Sequence, residues 1–204
     1  FLHLYQGHRA MAEQLRRLAG HGFDTGMDRV SPETSIYDFF RQNGNHFAPL
    51  ETVAEDLRAR IGGTTDDMYA SLKRHLRIGH AIQVEVLGIS DMPEALRDFD
   101  REKGRVVLSE ALDHTNRIFQ LAHVLGLLEA GAIVEELAET AALGNEAGEA
   151  RLRVELTNYF AGAMLMPYMR FLELAQTSHY DIDRLAVAFG VSFEQVCHRL
   201  TTLT

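Results

Sequence analysis

Cysteine is nearly absent from this chain. The single Cys197 excludes an internal disulfide and any zinc site built from thiolates, and sparse cysteine suits the reducing cytoplasm, where the protein is expected to work. Proline is scarce too: there are four, with no Pro-rich or Ser-rich linker, which argues for continuous folded structure. No run approaches the roughly eighteen uninterrupted apolar residues of a membrane-spanning helix, so no membrane association is expected. The opening FLHLYQGHRA has neither the basic start nor the apolar core of a signal peptide. No internal repeat is visible. Positive charge is also short, with 20 Lys and Arg against 29 Asp and Glu and a net charge of −9. Binding a phosphate backbone requires clustered cations, so this chain as a whole repels DNA.

What is present is ordinary globular material: 204 residues, 46% apolar and 24% charged, enough for one compact domain, or one domain with a helical annex. The chain lacks a starting Met and begins inside a helix-like pattern (Leu2, Tyr5, Met11, Leu15 and Leu18), so it is expected to be part of a longer protein. Residues 1–30 are expected to form a linker helix and loop. Ser31 and Pro32 read as an N-cap followed by proline at the first helical position, opening a helix that stops near Asn43-Gly44-Asn45. Phe47, Leu50, Ala54, Leu57 and Ile61 recur at helical spacing over 47–61, and a further helix starts at Asp66 and Asp67.

The period then changes. AIQVEVLGI alternates as a strand, and LRDFDREKGRVVL reads as a hairpin. From Asn116 onward the pattern is helical again: about 115–138, about 147–176 with a kink at Pro167, a short helix at 181–188, and a last one capped by Ser192. The predicted class is α+β: mostly helical, with a small antiparallel or mixed three-stranded sheet packed by helices.

One segment, FQLAHVLG, has the shape of a zinc-peptidase helix without its chemistry. In H-E-x-x-H two histidines one turn apart hold the metal and the glutamate between them takes a proton from bound water. Here His123 remains, Val124 stands at the base position and Leu127 at the second ligand position. Catalytic zinc needs three protein ligands and an open site, so neither a catalytic residue nor a metal is expected here.

Four segments in order, RVVLSEAL, FQLAHVLG, ELTNYFAGAMLMP and FGVSFEQVCHRLTTL, resemble the metallopeptidase-like (zincin-like) domain of IrrE/ImmA-type regulators. Together they cover about 80–203. The stretch from NYFAGAMLMP to the end, with the DFFRQN and AEDL helices, resembles the short-chain fatty acyl transcriptional regulators more closely. That resemblance implies a ligand-sensing domain over 31–204, with a helical annex at 31–78 and a degenerate core at 79–204. It implies Leu156 at the third ligand position, with Glu155 about 100° away around the helix. It further implies short-chain acyl-CoA or CoA as effector, no cofactor within the chain, and DNA contact only through a helix-turn-helix domain outside it. A homodimer or higher oligomer is expected, because such regulators read two half-sites.

A CoA site needs cations for phosphates and an aromatic platform. Candidate cations are Arg58, Arg74 (in a basic cluster with His75, Arg77 and His80), Arg117 and Arg199. Each has an alternative as a helix-end charge, a snorkelling side chain or a carboxylate partner. Phe40 and Phe47 form either an aromatic wall or plain core. Tyr159 and Tyr168 bracket Met164 and Met166, adaptable side chains suited to a pocket or to core. His123 and Leu127 line the former cleft, which either closes as core or holds an acyl chain. Two rival readings are a residual metallohydrolase using His123 with Glu155 or Glu129, and a ligand-free dimerisation module.

Overall fold

The computed structural model describes residues 32–93 and 95–203; the helix and linker expected over 1–30 lie outside them. Three helices come first: α1 (Pro32–Gln42), α2 (Ala48–Ile61) and α3 (Met68–His80). Strands β1 (Gln83–Leu87), β2 (Arg97–Asp100) and β3 (Arg105–Ser109) follow. Six more helices complete the described chain: α4 (His114–Glu129), α5 (Gly131–Ala141), α6 (Glu146–Leu165), α7 (Tyr168–Thr177), α8 (Ile182–Phe189) and α9 (Phe193–Leu200). The fold is mostly helical with one small sheet, as the periodicity predicts.

Local chemistry sets the boundaries. Asp113, Asn145 and Asp181 each accept a backbone N–H at the start of α4, α6 and α8. Ser192 and Gln195 form a reciprocal capping box at α9. Pro167, which has no N–H to donate, separates α6 from α7. The stripe expected on α2 is the buried one: Phe47, Leu50, Ala54, Leu57 and Ile61 are all in the core.

The sheet is mixed, in the order β1-β3-β2. β1 runs parallel to β3, pairing Val84 with Val106, whereas β2 is antiparallel, pairing Phe99 with Val106 and Arg97 with Leu108. Side chains paired across strands share a face. Val106 and Leu108 are fully buried, so Arg97 points with them toward the helices.

One helix expected over 115–138 is two. The chain bends by 79° between α4 and α5, at the buried Ala130. A straight continuation would carry Val134 and Ala138 away from the core; the bend returns both to it, against α6. Along α4 and α6, Leu121, Leu125, Leu152, Leu156, Phe160 and Met164 are fully buried. Gly126 permits this close approach: a Cβ there would lie 2.9 Å from side-chain atoms of both Phe160 and Thr157. Among the described residues no single helix is long and apolar enough to cross a membrane.

Candidate functional site

The ten candidate ligand residues do not form one site. Five of them gather in the interior between α1, α2, α6, α7 and α9. Arg199 is 3% exposed and Glu51 6%. The guanidinium of Arg199 donates from both terminal nitrogens to the Glu51 carboxylate, at 2.6 and 2.8 Å, and from Nε to the Met166 carbonyl at 3.0 Å. Tyr159 donates its hydroxyl to Glu51 and accepts the Phe47 N–H at 3.1 Å. Burial, with the Glu51 carboxylate beside it, pushes the Tyr159 phenol well above its usual range. Phe47 stacks on Phe39 and meets Phe40 and Tyr159 edge-on, while the Tyr168 ring packs on Arg199 and His46. Arg199, Tyr159, Phe47 and Phe40 thus join helices to one another.

The positions that the resemblance aligns with a metal site are packed in the core. Val124 and Leu156 are fully buried. His123, nearly buried on α4, accepts a hydrogen bond at Nδ1 from Arg97 of β2, at 2.7 Å. A fixed guanidinium thus occupies a position against the imidazole, and the residues around it do not fit a catalytic zinc. Leu127, expected to line the cleft with His123, is instead 40% exposed. Glu155 pairs with Arg151, and Glu129 with Arg60, His75 and His80; neither is bonded to His123.

Burial, with the Arg97 charge beside it, lowers the His123 imidazole from 6.5 to about 4, and burial also lowers Arg97. The unfolded chain then takes up a proton near pH 6.5 that the folded chain refuses until near pH 4. The stabilising effect is complete above pH 6.5 and is lost as pH falls toward 4. Between pH 7 and pH 5 this linkage should remove about 2 kcal/mol of stability. Urea unfolding at both pH values, with His123→Gln alongside, checks it. An equal loss in the variant would show that other groups are responsible.

The remaining cations lead to an open groove of about 620 Å³ between α3 and β1. Lys73, Arg74 and Arg77 line one side, Tyr69 and Ala70 one end, and Ile82, Gln83 and Val84 the strand side. Tyr69, Lys73 and Arg77 are spaced four apart, so they share one helix face. Lys73 lies over the Tyr69 ring, and His114 packs against the same ring at 5.5 Å. Burial raises the Tyr69 phenol, while the charge of Arg117 opposes the rise. Arg117 donates to the Glu110 carbonyl. α3 contains no Asp or Glu, which sets this face apart in a chain of net charge −9. Of the candidate cations, Arg74 lies in the groove and Arg117 beside it. Arg58 instead caps its own helix, donating to the carbonyls of Gly62 and Gly63. Sequence reasoning passed over Tyr69 and Lys73, although their spacing with Arg77 was a readable signal.

Residues 79–201 match the IrrE N-terminal-like domain family. The chain is 35% identical over its whole length to the propionyl-CoA carboxylase regulator of Cereibacter sphaeroides, of which it covers 42%. It is 29% identical over 99% of its length to the HTH-type transcriptional regulator RamB of Mycobacterium tuberculosis, of which it covers 43%. The chain thus spans less than half the length of these curated relatives. A solved Mycobacterium tuberculosis transcriptional regulator shares the fold with a TM-score of 0.78 at 32% identity, over 85% of this chain and 52% of that one.

Proposed function

From the premise that this chain belongs to the IrrE N-terminal-like domain family, we propose that it is the non-catalytic, effector-sensing part of a cytoplasmic bacterial transcription regulator, and that it binds short-chain acyl-CoA. The observation that carries this reading is the α3–β1 groove. Three cations from an acid-free helix stand opposite Ile82 and Val84, with the Tyr69 ring at one end. Coenzyme A presents phosphates, an adenine and an apolar arm. Cations suit the phosphates and an aromatic face suits the base, and the groove volume lies in the range of small-molecule sites. A relative named for propionyl-CoA carboxylase regulation supports an acyl-CoA-linked effector.

In this proposal the sensing domain covers 31–204 and acts in a dimer or larger oligomer. DNA is met through a helix-turn-helix domain outside this chain, because net charge −9 repels phosphate. A ligand bridging α3 and β1 would favour one placement of α3 against the sheet. That preference is what a conformational signal requires.

The test is calorimetric titration of the chain with free CoA, acetyl-CoA, propionyl-CoA and butyryl-CoA, with melting curves in parallel. A ligand at a hundred times its dissociation constant stabilises by about 2.7 kcal/mol. Binding of the thioesters is expected, with chain length ordering the affinities. If none of the four binds, the interaction-module reading replaces this one.

A further inference from the structure

A second cluster lies where α2, α3 and α4 end. Glu129 is the last residue of α4, His80 the last of α3, and Arg60 lies in the final turn of α2. His75 Nε2 and His80 Nε2 stand 2.7 and 2.9 Å from Glu129 Oε1, and Arg60 holds Oε2 at 2.6 Å. All three prospective donor atoms lie within 4.8 Å of one another. The glutamate and both imidazoles are partly buried, with side-chain exposures of 13%, 20% and 23%, whereas Arg60 is 55% exposed.

We propose that His75, His80 and Glu129 form a zinc-binding site, separate from the degenerate H-E-x-x-H segment. Two imidazoles and one carboxylate make a donor set that zinc accepts, with bonds of about 2.0–2.2 Å. Ligand atoms around a tetrahedral ion stand roughly 3.3–3.5 Å apart. Seating zinc therefore requires each imidazole to move its proton from Nε2, which now donates to Oε1, to Nδ1, and to back away from Oε1 by about half an ångström. The rings are inclined at 62° with centroids 5.7 Å apart, so they approach Oε1 from different directions.

The electrostatics of the location favour a cation. Each helix C-terminus carries roughly half a negative charge, and the cluster is assembled where three helices finish. Glu129 is itself disfavoured at such an end. Burial would raise its carboxyl further, yet hydrogen bonds from His80, His75 and Arg60 bring it down to about 2. The carboxylate is therefore ionised and ready to ligate at neutral pH. Arg60 does not compete for the metal, because it engages Oε2 and leaves Oε1 to the histidines. It orients the ligating carboxylate, as second partners do at metal sites. The fourth position is left to water or an exogenous ligand. Occupancy would clamp the C-terminal ends of α3 and α4 together.

The chain, stripped with a chelator and dialysed, is titrated with ZnCl₂ by calorimetry, and with CoCl₂ while visible absorption is followed. One zinc per chain is expected, with the absorption of four-coordinate cobalt(II). His75→Gln, His80→Gln and Glu129→Gln should each weaken zinc at least ten-fold, while the exposed His198→Gln should leave it unchanged. Circular dichroism of each metal-free variant confirms folding. As a readout independent of any variant, the ring proton resonances of His75 and His80 in the unaltered chain should shift in slow exchange on zinc addition. Absence of stoichiometric zinc binding overturns the proposal. So does wild-type affinity in both His75→Gln and His80→Gln, or histidine resonances that do not move.

Discussion

Replacing Glu51 with alanine is expected to destabilise the chain by about 3–5 kcal/mol, the usual effect of removing one partner from a buried ion pair. Arg199, 3% exposed, would keep its charge with no carboxylate to receive it. The Met166 carbonyl and the Thr202 hydroxyl would remain as its polar contacts among those described. Tyr159 would lose the acceptor of its hydroxyl proton, and with it a tie between α2 and α6. Urea unfolding monitored by circular dichroism gives the free energy and the slope m.

The pair Glu51→Leu with Arg199→Met should recover most of the loss, because matched apolar groups avoid the desolvation penalty that an orphaned charge suffers. A Glu51→Ala loss below about 1 kcal/mol would place the network among weak, solvent-screened pairs. This prediction also bears on ligand work. Arg199→Ala is expected to loosen α9 from α2 and α6, so a binding defect in that variant would not by itself establish ligand contact.

The charge-removed groove, Lys73→Ala with Arg74→Ala and Arg77→Ala, is expected to bind propionyl-CoA roughly a hundred-fold more weakly. Each contact from a solvent-accessible cation to phosphate contributes about 1 kcal/mol after screening, and 1.4 kcal/mol corresponds to ten-fold. Stability should change by less than about 1 kcal/mol, because surface substitutions of this kind rarely do more. Salt provides a second check. Raising NaCl from 0.05 to 0.5 M (an approximately ten-fold step) should weaken binding by the unaltered chain markedly, and by the variant little. A variant that binds as tightly as the parent would remove the groove from the site. A variant that loses the salt dependence but keeps the order of acyl-chain preference would place phosphate recognition here and acyl recognition elsewhere.

The elements of the fold were largely readable before any coordinates, for local reasons. Phe47, Leu50, Ala54, Leu57 and Ile61 could be assigned to one buried face because helical spacing turns periodicity directly into burial. Ser192 and Pro167 acted as boundary marks through groups within a few residues of themselves. The resemblance to IrrE-type regulator domains was carried by whole segments in order, and the family match over 79–201 agrees with it.

The candidate site was much less readable. Arg74 stands in a local basic cluster in the sequence, and it lines the groove. Arg199 was read as either a carboxylate partner or a ligand contact; its carboxylate lies 148 residues earlier in the chain, where no local pattern could point to it. Glu51 did leave a trace, four residues after Phe47 and three before Ala54 on an apolar face, where a carboxylate needs a partner.

The amino-acid sequence alone determined the net negative charge, the helices with their caps, the strand periods and the absence of a second histidine one turn after His123, because each follows from residue type and short-range spacing. Only the tertiary structure decided that β1 lies parallel to β3, that α4 and α5 part at 79°, that Arg97 rests on His123, and that His75, His80 and Glu129 meet. These depend on the directions in which distant elements cross. Hydrophobic burial rewards the removal of apolar area from water without specifying direction, so the partners of polar groups emerge only once the whole core has packed.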